Sequence, residues 1–129
     1  GSALESTIRA LAEGGIRVSL FIDPTPQAIH AAHALGVPAV ELHTGDYAHT
    51  WRQDHRALDA LRHAAQLGRA AGLAVHAGHG LTYDNVAPVA AIPEVEELNI
   101  GHSIVSRAVL DGMERAVRDM AAIVRRARS

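Results

Sequence analysis

Short apolar runs alternate with longer amphipathic segments along this chain, and that alternation restricts the fold more than any other feature. Residues 3–13 carry Leu4, Ile8 and Leu11 at helical spacing and stop at Gly14-Gly15. Residues 17–22, Arg17-Val18-Ser19-Leu20-Phe21-Ile22, read as a strand stopped by Asp23-Pro24. Thr25-Pro26 then opens a helix, because a threonine hydroxyl caps free amides and proline fits the first turn. It runs through Ile29 and Ala32 to Leu35 and stops at Gly36. Residues 37–43 form the second predicted strand, followed by a loop through Asp46 and Tyr47. A long helix is expected over 54–71, with Leu58, Leu61, Ala65 and Leu67 on its apolar side. Residues 73–76 are the third strand, 85–91 a short helical turn, 97–100 the fourth strand, and 103–128 one long final helix.

Regular βα alternation implies a parallel sheet with right-handed crossovers, hence an α/β fold. The reading is four consecutive βα units preceded by one helix, in a single domain over 1–129. Gly1-Ser2 looks like an expression scar. Aromatics are few (Phe21, Tyr47, Trp51 and Tyr83), so the core must be built from Ala, Val, Leu and Ile, which suits helices packed closely on a parallel sheet. Two architectures satisfy this pattern: an open, doubly wound sheet, and half of an eight-stranded (β/α)8 barrel. In both, ligands bind where strands end and helices begin.

A formal net charge of -2 and the lack of a basic stripe interleaved with aromatics argue against nucleic acid and membrane surfaces as partners. The cluster Arg125-Arg126-Ala127-Arg128 closes a helix, where cations oppose the partial negative charge of the C-terminus. Cysteine is absent, so disulfides and thiolate metal sites are impossible. No apolar run is long enough to span a bilayer and no leader pattern is visible, and a cytoplasmic location is expected.

The chemistry-bearing residues gather at the strand ends. Ala77-Gly78-His79-Gly80-Leu81-Thr82 puts a histidine between two glycines just past the third strand. Glycine permits positive φ and a close backbone approach to an anion. Taken alone, the same residues also make an ordinary tight turn. Asn99-Ile100-Gly101-His102-Ser103 repeats the Gly-His pair after the fourth strand and opens directly into a helix, whose first amides are free to bind an anion. Two such loops side by side point to a phosphate. In Glu41-Leu42-His43-Thr44-Gly45, strand alternation sets Glu41 and His43 on one side and Leu42 on the other. A carboxylate there is either functional or part of an internal ion pair. His43, His76, His79 and His102 could also converge on a metal, but a Gly-His-Gly loop is a poor support for a rigid ligand, and no metal is expected. His30, His33, His49, His55 and His63 read as solvated or packing residues.

Val18-Ser19-Leu20-Phe21-Ile22-Asp23, Val40-Glu41-Leu42-His43-Thr44-Gly45-Asp46-Tyr47-Ala48, Ala77-Gly78-His79-Gly80-Leu81-Thr82-Tyr83-Asp84-Asn85-Val86 and Glu97-Leu98-Asn99-Ile100-Gly101-His102-Ser103-Ile104 together resemble the pyridoxine 5'-phosphate synthase family. The resemblance implies a half (β/α)8 TIM barrel corresponding to strands five to eight. It implies condensation of 1-deoxy-D-xylulose 5-phosphate with 3-amino-2-oxopropyl phosphate to pyridoxine 5'-phosphate, inorganic phosphate and water, without redox cofactor or essential metal. By motif, His79 matches the proton donor, Gly80 a substrate-binding position, Gly101 and His102 the phosphate-holding pair, and Glu41 a transition-state stabiliser. His43, Thr44 and His76 are supporting residues. His76 stands where the family often has Asn, which adds an imidazole near the rim. The family's proton-accepting histidine and glutamate belong to an N-terminal half with no counterpart here. The chain is therefore expected to be inactive alone, to need that missing half-barrel, and to form a homo-oligomer. The alternative is a non-catalytic phosphate-binding or self-assembling half-barrel module.

Overall fold

The computed structural model describes residues 2–129; Gly1, half of the dipeptide read as a scar, lies outside them. Helix α1 (Ser2–Glu13) precedes β1 (Ser19–Ile22), α2 (Pro26–Ala34), β2 (Ala39–His43), α3 (Gly45–Thr50), α4 (Arg56–Ala70), β3 (Ala74–Gly78), α5 (Val86–Ala90), β4 (Val95–Asn99), α6 (His102–Asp111) and α7 (Met113–Ala127). The four strands pair in parallel in the order β1-β2-β3-β4. This order decides between the two expected architectures. Right-handed crossovers between neighbours taken in chain order put every helix on the same side of the sheet, whereas double winding requires a reversal of order. The α/β expectation holds, and the singly wound arrangement is compatible with half of a (β/α)8 barrel.

Alternation along the strands separates the two faces. Val40, Leu42, Val75 and Ala77 are fully buried beneath the helices with Ile29, Leu61, Val86 and Val89. The opposite face carries Phe21, Glu41, His76 and Glu97 in one cross-strand row. Small residues let the helices come close. A β-carbon on Gly68 of α4 would lie 2.9 Å from Val75 Cγ2, so α4 sits almost directly on β3. Thr25 caps α2 as expected, accepting from the Ala28 amide at 3.2 Å.

Several boundaries differ from expectation. Strands β1 and β2 begin two residues late, at Ser19 and Ala39, because Pro38 has no N–H with which to extend the ladder. Strand β3 runs on through Gly78, which pairs with both His43 and Asn99. Strand β4 starts two residues early, at Val95, across an irregular step in the register beside Val75 and His76. The expected loop through Asp46 and Tyr47 contains α3, a helix too short for its own periodicity to show. Its tertiary anchor is the buried Tyr47, whose hydroxyl donates to the Asn85 carbonyl at 2.5 Å. The single final helix is two, broken at Gly112, where φ 84° and ψ 150° are accessible to glycine and costly for other residues. Arg128 lies past α7 and donates to the carbonyls of Ile92 and Val95, so it ties the C-terminus to the start of β4 as well as closing the helix.

Leu61, 1% exposed, occupies the centre of the layer between α4 and the sheet. Leu61→Ala is expected to lower the unfolding free energy by about 2–5 kcal/mol, read from the midpoint of urea denaturation at constant slope.

Candidate active site

A cleft of about 480 Å³ opens at the C-terminal end of the sheet, lined by Phe21, Glu41, the loop 79–82, and residues 99–103. The two Gly-His loops singled out in the sequence thus share one cavity, with Glu41 on its floor. His79 and His102 are both exposed to it. His102 is the first residue of α6, one position earlier than expected. The amides opening that helix have no partner within it, and they carry the positive end of its dipole.

Glu41 projects from the middle of β2, opposite Phe21 on one neighbour and His76 on the other. Its carboxylate lies over β3 at Gly78, where a β-carbon would come within 2.3 Å of Oε1 and 2.9 Å of the Asn99 carbonyl. Only a residue without a side chain leaves room for that carboxylate. His43 does not line the cleft. Its ring stacks on His79 (centroids 4.8 Å apart, planes at 26°) and takes the edge of Phe21 at 5.0 Å. A β-carbon at Gly45 would meet the His43 ring at 2.4 Å, so the first turn of α3 seats that ring.

His76 departs from its expected place. It sits in the middle of β3, one layer below the rim, and faces Glu97 with Nε2 4.0 Å from Oε2. The reason is the extra length of β3, which carries the strand end on to Gly78. His79 reaches the cleft and His76 does not border it. Thr44 is fully buried, and its hydroxyl donates to the His79 carbonyl. His30, His33, His55 and His63 are exposed, as read from the sequence. No cluster of three or more metal-ligating side chains occurs among the described residues.

Sequence reasoning missed several groups that shape the cleft. Phe21 walls it from β1, and its place on the open face was available from strand alternation. Asn85 is buried and holds the loop from beneath, accepting from the Thr82 amide at 2.7 Å and donating to the Gly80 carbonyl at 3.1 Å. Ser103 donates to the Leu81 carbonyl at 2.8 Å. The Asn85 bonds span only three and five positions, whereas the Ser103 bond joins residues 22 positions apart and no local spacing announces it.

The chain matches, over residues 1–126, the sequence profile of the family described as pyridoxal phosphate biosynthesis protein PdxJ. It belongs to this family. It is 50% identical over 125 residues to the pyridoxine 5'-phosphate synthase of Citrifermentans bemidjiense, covering 95% of this chain and 52% of that protein. It is 53% identical over 123 residues to that of Syntrophotalea carbinolica (94% and 52%), and 56% identical over 121 residues to that of Synechococcus sp. strain JA-2-3B'a(2-13) (92% and 51%). The chain therefore spans about half the length of these relatives. Membership places it in vitamin B6 biosynthesis, as the sequence motifs implied. No helix among the described residues is long and apolar enough to cross a membrane.

Burial raises the Tyr47 phenol above its ordinary value of 10.0. Above pH 10.0 the unfolded chain releases this proton while the folded chain still holds it. The associated stability is therefore fully present below that pH and is lost as pH rises through the folded value. Tyr47→Phe is expected to lose that alkaline dependence, checked by thermal melts on both sides of pH 10.0. Gly78→Ala should push the Glu41 carboxylate off β3, a displacement visible in a crystal structure of the variant.

Proposed function

We propose that this chain is the C-terminal half of a pyridoxine 5'-phosphate synthase, strands five to eight of a (β/α)8 barrel. The whole protein would condense 1-deoxy-D-xylulose 5-phosphate with 3-amino-2-oxopropyl phosphate, giving pyridoxine 5'-phosphate, inorganic phosphate and water. The observation that carries the reading is the meeting of both Gly-His loops and Glu41 on one cleft. In this reading Gly101, His102 and the opening amides of α6 hold a substrate phosphate, and the Gly80 backbone contributes a further donor. His79 is the proton donor. An imidazole suits that task because it exchanges its proton near neutral pH. Glu41 stabilises developing positive charge in the transition state, from a seat that Gly78 keeps clear. His43 orients His79 by stacking.

The other half of the barrel is proposed as a missing partner segment. Among the described residues β1 pairs with β2 alone and β4 with β3 alone, so each outer strand has an open edge. Beside β4 runs an apolar groove of about 390 Å³, bordered by Leu98, Ile104, Met120 and Val124. Such edges and grooves call for a neighbour. Association between copies, and a cytoplasmic setting, are also proposed. Val109 and Leu110 of α6, 80% and 89% exposed, support the former.

The purified chain, given both substrates, is expected to make no pyridoxine 5'-phosphate. Adding the N-terminal half of a relative such as the Syntrophotalea carbinolica enzyme should restore product, and His79→Asn in that complex should lower kcat by roughly 10²–10⁴-fold. Turnover by the chain alone would overturn the half-enzyme reading. Phosphate binding without any association would favour the non-catalytic module instead.

A further inference from the structure

His79 is the one non-glycine residue with positive φ among the described residues, at 88°, and Gly80 follows at 75°. A left-handed conformation at a residue with a side chain is unfavourable and persists only where the surroundings impose it. Both angles trace to a single neighbour. The φ of His79 is set by the orientation of the 78–79 peptide, whose carbonyl accepts from the Thr44 backbone amide at 2.9 Å. The φ of Gly80 is set by the 79–80 peptide, whose carbonyl accepts from the Thr44 hydroxyl. One buried residue thus grips two successive peptides, one through its main chain and the other through its side chain.

The consequence lies on the other side of those peptides. The peptide bonds of the described residues are trans, so each carbonyl points opposite to the N–H of the next residue. Carbonyls 78 and 79 are drawn back toward Thr44, and carbonyl 80 toward Asn85. The amides of Gly80 and Leu81 are thereby turned away from these groups, and neither donates to a backbone or side-chain acceptor among the described residues. Both residues line the cleft. Successive free amides in such a turn form a concavity suited to an anion.

We propose that Thr44 is a positioning residue: its hydroxyl locks the His79–Gly80 peptide so that the Gly80 amide faces the phosphate subsite and the His79 imidazole stays stacked on His43. This inference rests on the phosphate-site reading above for its ligand, though not for its geometry. Thr44 itself is buried and does not border the cleft. Without the hydroxyl, nothing holds carbonyl 79 inward, and the peptide is free to turn.

The test compares Thr44→Val, which keeps the shape and removes the hydroxyl, with Thr44→Ser, which keeps the hydroxyl. The readouts are the backbone NMR signals of His79 and Gly80 in the ligand-free 129-residue chain and titration with inorganic phosphate. Thr44→Val should shift both residues out of the left-handed signature and weaken phosphate binding about tenfold, the effect of one lost hydrogen bond. Thr44→Ser should keep the signature and bind phosphate within about twofold of the parent. If Thr44→Val does not fold, Thr44→Ala is read in the same way. Left-handed signals retained at His79 and Gly80 without the hydroxyl would overturn the proposal, as would equal loss in the serine variant. If the parent chain binds no phosphate, the phosphate-site reading fails, while the ligand-free signals still decide the role of Thr44.

Discussion

Parallel pairing of four strands in chain order is the constraint from which the rest of the molecule follows. Crossovers between parallel strands follow one hand as a rule, so successive helices return to the same face, and that face becomes the core. Val40, Leu42, Val75 and Ala77 meet α4 and its neighbours there, at a spacing that Ala and Gly make short. The other face has no helix to bury, and its strands can carry Glu41, His76 and Glu97 side by side. Polar groups in the middle of a sheet are affordable in this fold because one whole side of it is not core.

The rim depends on that sheet at one remove. Strand β3 ends in glycine, and the chain then turns through two left-handed residues held by Thr44 between β2 and α3, by Asn85 at the start of α5 and by Ser103 of α6. The loop's carbonyls from 78 to 81 all accept, two from Thr44 and one each from Asn85 and Ser103, which turns the amides of Gly80 and Leu81 away from these groups. The helix α3 is the least conspicuous element and the most consequential for this loop. Thr44 precedes it, Tyr47 anchors it to Asn85, and Ala48 packs so closely on Gly80 that a β-carbon there would lie at 2.7 Å.

Much of this was legible before any coordinates. Helix caps and stops at Thr25, Gly36 and Gly72 lie where local chemistry puts them, because capping and turn preferences act within a few residues. The side shared by Glu41 and His43 follows from the two-residue period of a strand. The Gly-His loops pointed to a candidate site because two of them follow neighbouring strand ends, although either alone also makes an ordinary tight turn. Less legible were α3, shorter than two turns, the break at Gly112 inside a continuous apolar pattern, and the depth of His76, which depends on where β3 ends.

The amino-acid sequence by itself determined the α/β class, the order of the elements, the residues available to the rim and, through its motifs, the family. Those properties reside in local periodicity and residue type, which a chain carries whether folded or not. The tertiary structure alone decided that the sheet is singly wound, that both Gly-His loops open on one cleft with Glu41, and that Thr44 governs the conformation of His79. Each of these joins residues tens of positions apart, and such pairings exist only once strand order and helix packing have brought the segments together.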